Sequence, residues 1–387
     1  MKTSSFISRF CLVMFLASSL SAQDKADPPV AGPVKWDGRV LREYREYPSG
    51  VDPKLRLFAR FECAAPSGIL LVSMHGWHGS VKRAHTDNVA DPLAKDYFVI
   101  SPEMRGRGDA TGQPDCNGWE LQDVIDAVEF ARRHYRDRIA SPEIVFLSGG
   151  SGGGGNVFAL LGKFPDTFTA ARAYYGISDY ALWHAFDRKG EFRDELEGIN
   201  GKDPKGRPPW IGGSPETNPE AYRSRSGLTT VGNLLTPTLV FHGAEDARVP
   251  VLHARLWVGA AHGAGRGALV TYHEQAGVGD HRHDGNETRE QLAFRNLSGK
   301  QFLLTHRTPP ALPERGSFVV AGYLKTARFE VILDSIDRVG RVDYDLAAGR
   351  FEVHSESARH ATLRVRKDAG GEWQQSEIEC RRSSQTK

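Results

Sequence analysis

Cysteine and methionine are scarce in this chain, four of each among 387 residues. No cysteine spacing suits a zinc site and no H-E-x-x-H run occurs, so no metal centre is expected. Charge of either sign is nearly balanced, at a formal +2, and no basic cluster stands out. Nucleic acid is therefore not an expected partner. The phosphate-binding G-K-[ST] sequence is absent, as are internal repeats and low-complexity tracts. No apolar run approaches the roughly 20 residues needed to span a bilayer, so a membrane partner is not expected either. Abundance lies elsewhere, in 41 glycines and 21 prolines, the composition of an enzyme rich in tight turns.

The first residues, "MKTSSFISRFCLVMFLASSLSAQ", carry Lys2 and Arg9, an apolar run from Phe10 to Leu20, and small residues at Ser19, Ser21 and Ala22. That is the layout of a secretory signal, with cleavage expected near residue 22 and a secreted or periplasmic product. Cys11 leaves with this segment. Cys63, Cys116 and Cys380 remain, an odd count that permits one disulfide and one free thiol without indicating a pairing.

Residues 23–38 are polar and proline-rich, the texture of a loose arm. Beyond them "RVLREYREY" and "LRLFARFEC" alternate with period two and predict a strand pair. "GILLVSMHG", "YFVISPEM", "EIVFLSG", "FTAARAYYG", "TPTLVFHG" and "ALVTYHEQ" follow as further strands. Helical patterns separate most of them, as where Leu121, Val124, Ile125 and Val128 recur along "ELQDVIDAVEFARRHY". Alternation of this kind predicts an α/β fold, a mostly parallel sheet with helices on both faces and an antiparallel edge. From residue 307 to 387 only short strand patterns appear, predicting a small all-β C-terminal region.

"IVFLSGGSGGGGN", residues 144–156, admits two parses. Gly150, Gly152 and Gly155 fit G-x-G-x-x-G, a dinucleotide cradle. Gly149, Ser151 and Gly153 fit G-x-S-x-G, which presents a serine nucleophile between strand and helix. A dinucleotide turn belongs at the first strand–helix junction with an acid about 20 residues on. Here the turn follows at least five strands, and Asp179 lies too far past it. The serine parse makes checkable demands: an acid and a histidine must follow, in that order, on later loops. Asp246 in "PTLVFHGAEDARVP" supplies the acid, with Glu245 as its competitor. "VTYHEQAGVGDHRHDG" supplies His281, with His283 as the alternative base and His273 still on the strand. Asp280, His281, His283 and Asp284 also have the look of metal ligands, without a supporting motif.

These segments resemble the prolyl oligopeptidase and dienelactone hydrolase-like group of α/β-hydrolases, over about residues 39–306. The resemblance rests on G-x-S-x-G, on H-G-x-x-D-x-x-V-P around Asp246, on His75-Gly76, and on the R-G-x-G of "MRGRGDATG". It implies a Ser151–Asp246–His281 triad and an oxyanion hole made by the backbone N–H groups of Trp77 and Gly152. The histidine loop is longer than the family pattern. His75, His78, Arg105 and Arg107 are expected to shape loops or line the pocket. No cofactor is implied.

Residues 178–227 occupy the place of a cap insertion, with Trp183, Phe186, Trp210 and Tyr222 able to stack on a sugar or seal the cap. Too few residues precede His75 for the N-terminal propeller of the family's peptidases, which favours an esterase acting on a small-molecule or carbohydrate ester. The alternatives are an exopeptidase, with Glu191, Glu195 or Glu197 reading a free amino terminus, and a non-catalytic binding protein on a hydrolase scaffold.

Overall fold

The computed structural model describes residues 34–36, 40–82, 96–187, 190, 192–198, 210–368 and 370–382. The expected signal, residues 1–22, lies outside them, as does Glu191. Nine strands form one sheet: β1 (Val34–Trp36), β2 (Val40–Pro48), β3 (Arg56–Cys63), β4 (Ile69–Met74), β5 (Tyr97–Pro102), β6 (Val145–Gly150), β7 (Ala170–Tyr174), β8 (Thr238–Gly243) and β9 (Val270–Gln275). Their spatial order is β1-β2-β3-β5-β4-β6-β7-β8-β9. From β5 to β9 neighbours run parallel, and β1, β2 and β3 add the antiparallel edge. Strand β1 falls within the stretch expected to be a loose arm; three residues are too short a run for a periodicity to show.

The helices are α1 (Glu120–His134), α2 (Gly152–Lys163), α3 (Tyr180–Phe186), α4 (Arg193–Glu197), α5 (Pro219–Arg225), α6 (Leu252–Gly263) and α7 (Arg289–Thr305). Alternation along β4 shows why both faces must be covered. Leu70, Val72 and Met74 join the large core with Val124 and Val128 of α1, Val157 and Leu160 of α2, and Trp257 of α6. Ile69 and Leu71 point the other way and meet Leu303 of α7. Helix α7 starts on a capping box, in which Thr288 accepts from Gln291 N–H and the Gln291 side chain accepts from Thr288 N–H. The α/β-hydrolase fold expected from the sequence is the fold observed.

The C-terminal residues form a separate antiparallel sheet of β10 (Arg315–Ala321), β11 (Tyr323–Lys325), β12 (Phe329–Leu333), β13 (Val339–Asp345), β14 (Arg350–His354), β15 (His360–Val365) and β16 (Gln374–Glu379). It has its own core around Phe318, Val331, Val342 and Leu363. Tyr323 leaves that core and enters the larger one, stacked on Trp119 at 4.6 Å with its hydroxyl donating to Gly118 O at 2.9 Å. Arg225 of α5 donates to Asp337 at 2.8 Å, and Lys163, at the end of α2, donates to Ala321 O. The β sheet thus braces the helix that begins at Ser151. Cys63, Cys116 and Cys380 are all unpaired thiols. Among the described residues no helix is long and apolar enough to cross a membrane.

Candidate active site

Ser151 sits between β6 and α2 with φ 58° and ψ −125°, a conformation that strains a residue with a side chain and persists only where its surroundings hold it. They hold it here through Ser151 N–H to Tyr174 O at 3.0 Å and Gly155 N–H to Ser151 O at 3.0 Å. The neighbouring glycines are fixed by close backbone approach. A methyl on Gly153 would lie 2.4 Å from Met74 O, and one on Gly154 would lie 2.6 Å from Gly176 Cα. Helix α2 therefore lies against the ends of β4 and β7 more closely than any side chain allows.

The acid follows β8. Asp246 Oδ1 accepts N–H groups from Arg248 at 2.8 Å and Val249 at 2.9 Å, which shapes the turn. Its Oδ2 accepts from His283 Nδ1 at 2.8 Å. His242 Nε2 donates to Val249 O at 2.7 Å and stands 3.5 Å from the same carboxylate. Burial alone pushes the Asp246 carboxyl up, but the adjacent His242 imidazole and the hydrogen bond from His283 outweigh it and hold the group well below the usual carboxylate range. It stays an anion at any working pH. Glu245 is exposed and takes no part.

His283 completes the chain, with Nε2 2.8 Å from Ser151 Oγ. Because Asp246 only accepts, Nδ1 carries the proton, and Nε2 is left free to accept from the serine. This corrects the expectation that His281 is the base. The side chain of His281 is 84% exposed with Nδ1 3.6 Å from Asp280, whereas that of His283 is 15% exposed. The cause is a tight turn. Asp280 accepts from Arg282 N–H at 2.6 Å, Asp280 N–H donates to Arg282 O at 3.0 Å, and Gly279 N–H donates to Gly285 O at 2.6 Å. His281 lands on the tip and His283 on the returning limb. The loop is stitched to the acid's turn by Glu245 N–H to Val278 O and Ala247 N–H to Asp280 O, both 2.9 Å. His273 packs between Phe241 and Phe294, away from the serine. Among the described residues no group of three or more His, Cys, Asp or Glu side chains is placed to hold a metal ion.

Two backbone amides flank the serine. A methyl on Gly152 would sit 2.7 Å from Trp77 N, and one on Gly76 would sit 3.9 Å from Ser151 Cβ. The Trp77 amide nitrogen thus lies against Gly152 beside the nucleophile, where donors to an oxyanion belong. His75 shapes this loop: its Nδ1–H donates to Gly76 O at 2.8 Å and its Nε2 accepts from Met104 N–H at 3.3 Å. Arg105 forks onto Asp123 of α1. Arg107 lies over the Trp210 ring at 4.7 Å and, with Trp77, Met104 and Pro114, lines the cleft at the amides.

Two features had no signal in the sequence. Tyr175, with φ 41°, lays its ring parallel to His283 at 4.5 Å and 3°. Glu195 of α4 accepts from the Trp77 indole N–H at 2.8 Å and pairs with His78 Nε2 at 2.8 Å. Glu197 pairs with His184.

The model of the prolyl oligopeptidase family matches residues 84–298, more than half of the chain and inclusive of Ser151, Asp246 and His283. An uncharacterized peptidase, YtmA, of Bacillus subtilis (strain 168) is 24% identical over 188 residues, covering 47% of this chain and 65% of that protein. An acylamino-acid-releasing enzyme of Arabidopsis thaliana is 27% identical over 148 residues, or 36% of this chain and 17% of that one. The chain therefore spans less than two thirds of either curated relative. Among solved structures, the acylaminoacyl peptidase of Pyrococcus horikoshii superposes with a TM-score of 0.57 at 19% identity, over 71% of this chain and 43% of that one. An esterase of Pyrococcus furiosus gives 0.50 at 15% identity, over 69% and 91%.

Proposed function

The chain belongs to the prolyl oligopeptidase family, and from that premise we propose that it is a serine hydrolase cleaving a carboxylic ester through an acyl-enzyme on Ser151. The observation that carries this reading is the hydrogen-bonded chain Ser151–His283–Asp246, both links 2.8 Å. His283 Nε2 takes the Oγ proton as the oxygen attacks the substrate carbonyl. Asp246 steadies the imidazolium that results, and the Gly152 and Trp77 amides receive the oxyanion. His283 then gives its proton to the departing alcohol, and water reverses the sequence to free the acid.

The cap supports an ester over a peptide with a free amino terminus. Reading an ammonium takes an uncommitted carboxylate, and the two candidates among the described residues, Glu195 and Glu197, are engaged by Trp77, His78 and His184, while Glu191 lies outside those residues. The cleft presents aromatic surface at Trp77 and Trp210 with the Arg107 cation, and the carboxylate in its lining, Glu120, is engaged by Asn117 N–H at 2.7 Å. An acyl group carried on a carbohydrate fits such a lining, since sugar faces stack on aromatic rings. A peptide whose amino terminus is blocked is the second reading, favoured by the relative that releases acylamino acids. We place the enzyme outside the cytoplasm on the strength of the signal-like residues 1–22.

A panel of acetylated sugars, p-nitrophenyl esters, N-acetylated peptides and free-amino aminoacyl-p-nitroanilides tests the assignment. Turnover concentrated on esters supports it. Turnover confined to free-amino substrates contradicts it.

A further inference from the structure

The cap and the oxyanion loop share one carboxylate. Trp77, whose backbone nitrogen lies against Gly152, packs its indole into the cap. There it meets Trp210 at 4.3 Å, Trp183 at 4.9 Å and Phe192 at 6.3 Å. At the inner end of this aromatic cluster the indole N–H finds Glu195, and His78, the next residue of the same loop, reaches the same carboxylate. Glu195 is itself rigidly held in the cap: its carbonyl accepts Trp210 N–H at 3.0 Å, and the carbonyl of Leu196 accepts Gly212 N–H at 2.8 Å.

The loop's anchors to its own domain lie to either side of the Trp77 side chain; downstream, Val81 and Lys82 donate their N–H groups to Glu103 at 3.0 and 3.2 Å. Gly79 N–H closes a turn on Gly76 O at 2.9 Å, His75 bridges to Met104, and Arg107 reaches Trp77 O at a long 3.4 Å. These bonds hold the loop before and after Trp77, and Arg107 reaches the Trp77 carbonyl only at long range. The side chain of Trp77 is held by the cap, which restrains its Cα and, through it, the peptide that carries its N–H.

We propose that Glu195 is a positioning residue that fixes the Trp77 N–H in the oxyanion hole, so that the hole is complete only with the cap seated. The proposal rests on the serine-hydrolase reading. Glu195 is not among the residues that line the cleft. It acts through the Trp77 indole, and the cap thereby couples substrate enclosure to transition-state stabilisation. A donor that is tilted rather than lost costs less than the 10²–10³ of a deleted one, so an effect of roughly tenfold is expected.

Steady-state kinetics on a p-nitrophenyl ester, with the full chain, decide the matter. Glu195→Ala lowers kcat roughly tenfold and leaves KM within about twofold. Glu195→Gln, which keeps an oxygen for the indole N–H, recovers most of that loss. Trp77→Phe, which keeps an aromatic ring but lacks the N–H, matches Glu195→Ala, and the double variant is no worse than either single one. Wild-type kcat in folded Glu195→Ala overturns the proposal, as do single losses that multiply in the double variant. Should Glu195→Ala fail to fold, Glu195→Gln against Trp77→Phe carries the same comparison. Ser151→Ala, run alongside, separates the two levels. If it too stays active, the serine-hydrolase reading has failed; if only it is inactive, the positioning role of Glu195 alone has failed.

Discussion

Gly152→Ala is the substitution whose effect the geometry constrains most tightly. The added methyl falls 2.7 Å from Trp77 N and 2.8 Å from Trp77 Cα. Carbon contacts settle near 3.5 Å, so backbone must yield by about 1 Å. Neither partner is a flexible side chain that could swing aside. The displaced group is an oxyanion donor on one side and the N-terminus of α2 on the other. A misplacement of that size costs on the order of 10²-fold, and a lost donor 10²–10³-fold. At about 1.4 kcal/mol per tenfold, the expected loss is ~3 kcal/mol of transition-state stabilisation. It should fall on kcat with KM little changed, because the amides meet the oxyanion more strongly than the ground-state carbonyl. Reactivity toward a fluorophosphonate should drop in parallel. The unfolding temperature should fall as well, since alanine's helix propensity, worth up to ~1 kcal/mol over glycine, offsets only part of the strain. Gly154→Ala is the control: its methyl meets Gly176 Cα at 2.6 Å and Tyr174 O at 2.8 Å, so it should lower the unfolding temperature. A Gly152→Ala enzyme with wild-type kcat, or with its whole loss in KM, refutes the oxyanion assignment.

Other outcomes follow from the same geometry. Asp246→Asn removes the acceptor that fixes the His283 tautomer, and kcat should fall by about 10⁴ with the fold intact, as read by circular dichroism and ester turnover. Tyr175→Ala strips the ring stacked on His283, which is worth roughly 1 kcal/mol, or about fivefold in kcat, while Tyr175→Phe should stay near wild type. His253 is buried with Nε2 unpartnered, and burial, reinforced by His242, pushes its pKa down to about 3. The unfolded chain takes up that proton below its ordinary value of about 6.5 and the folded chain does not. This share of stability is therefore present above about pH 6.5 and lost as pH falls toward 3. His253→Leu should flatten the acid limb of a melting-temperature profile between pH 7 and 4; an unchanged slope disproves it.

Much of the site was legible because strand, turn and helix patterns carry it locally. Ser151 and Asp246 each follow a buried apolar strand, and their order and turn residues mark them without any tertiary knowledge. His283 was not separable from His281 by pattern. Which of two residues in a glycine-flexed loop faces inward depends on the backbone bonds among Gly279, Asp280, Arg282 and Gly285. Gly154 and Gly155 have no place in G-x-S-x-G, and their reason is tertiary: the close approach of Gly176 and of Ile177 O. Helices α3, α4 and α5 were invisible because they span only five to seven residues each, too few turns for a helical period, and are held by aromatic packing across the cap. Strand β16, with one half-buried residue among six, has no apolar alternation to read. Tyr175 is a similar case, since nothing in "YYG" signals a ring aimed at a histidine more than a hundred residues later.

The central claim is that one histidine, His283, links Ser151 to Asp246 in a working nucleophile. Its most direct test is p-nitrophenyl ester hydrolysis, with fluorophosphonate labelling, by wild type, Ser151→Ala, His283→Ala and His281→Ala. The geometry predicts no labelling for Ser151→Ala, a loss of at least roughly 10³-fold in kcat for His283→Ala, and near wild-type turnover for His281→Ala. An active, labelled His283→Ala beside an inactive His281→Ala contradicts it.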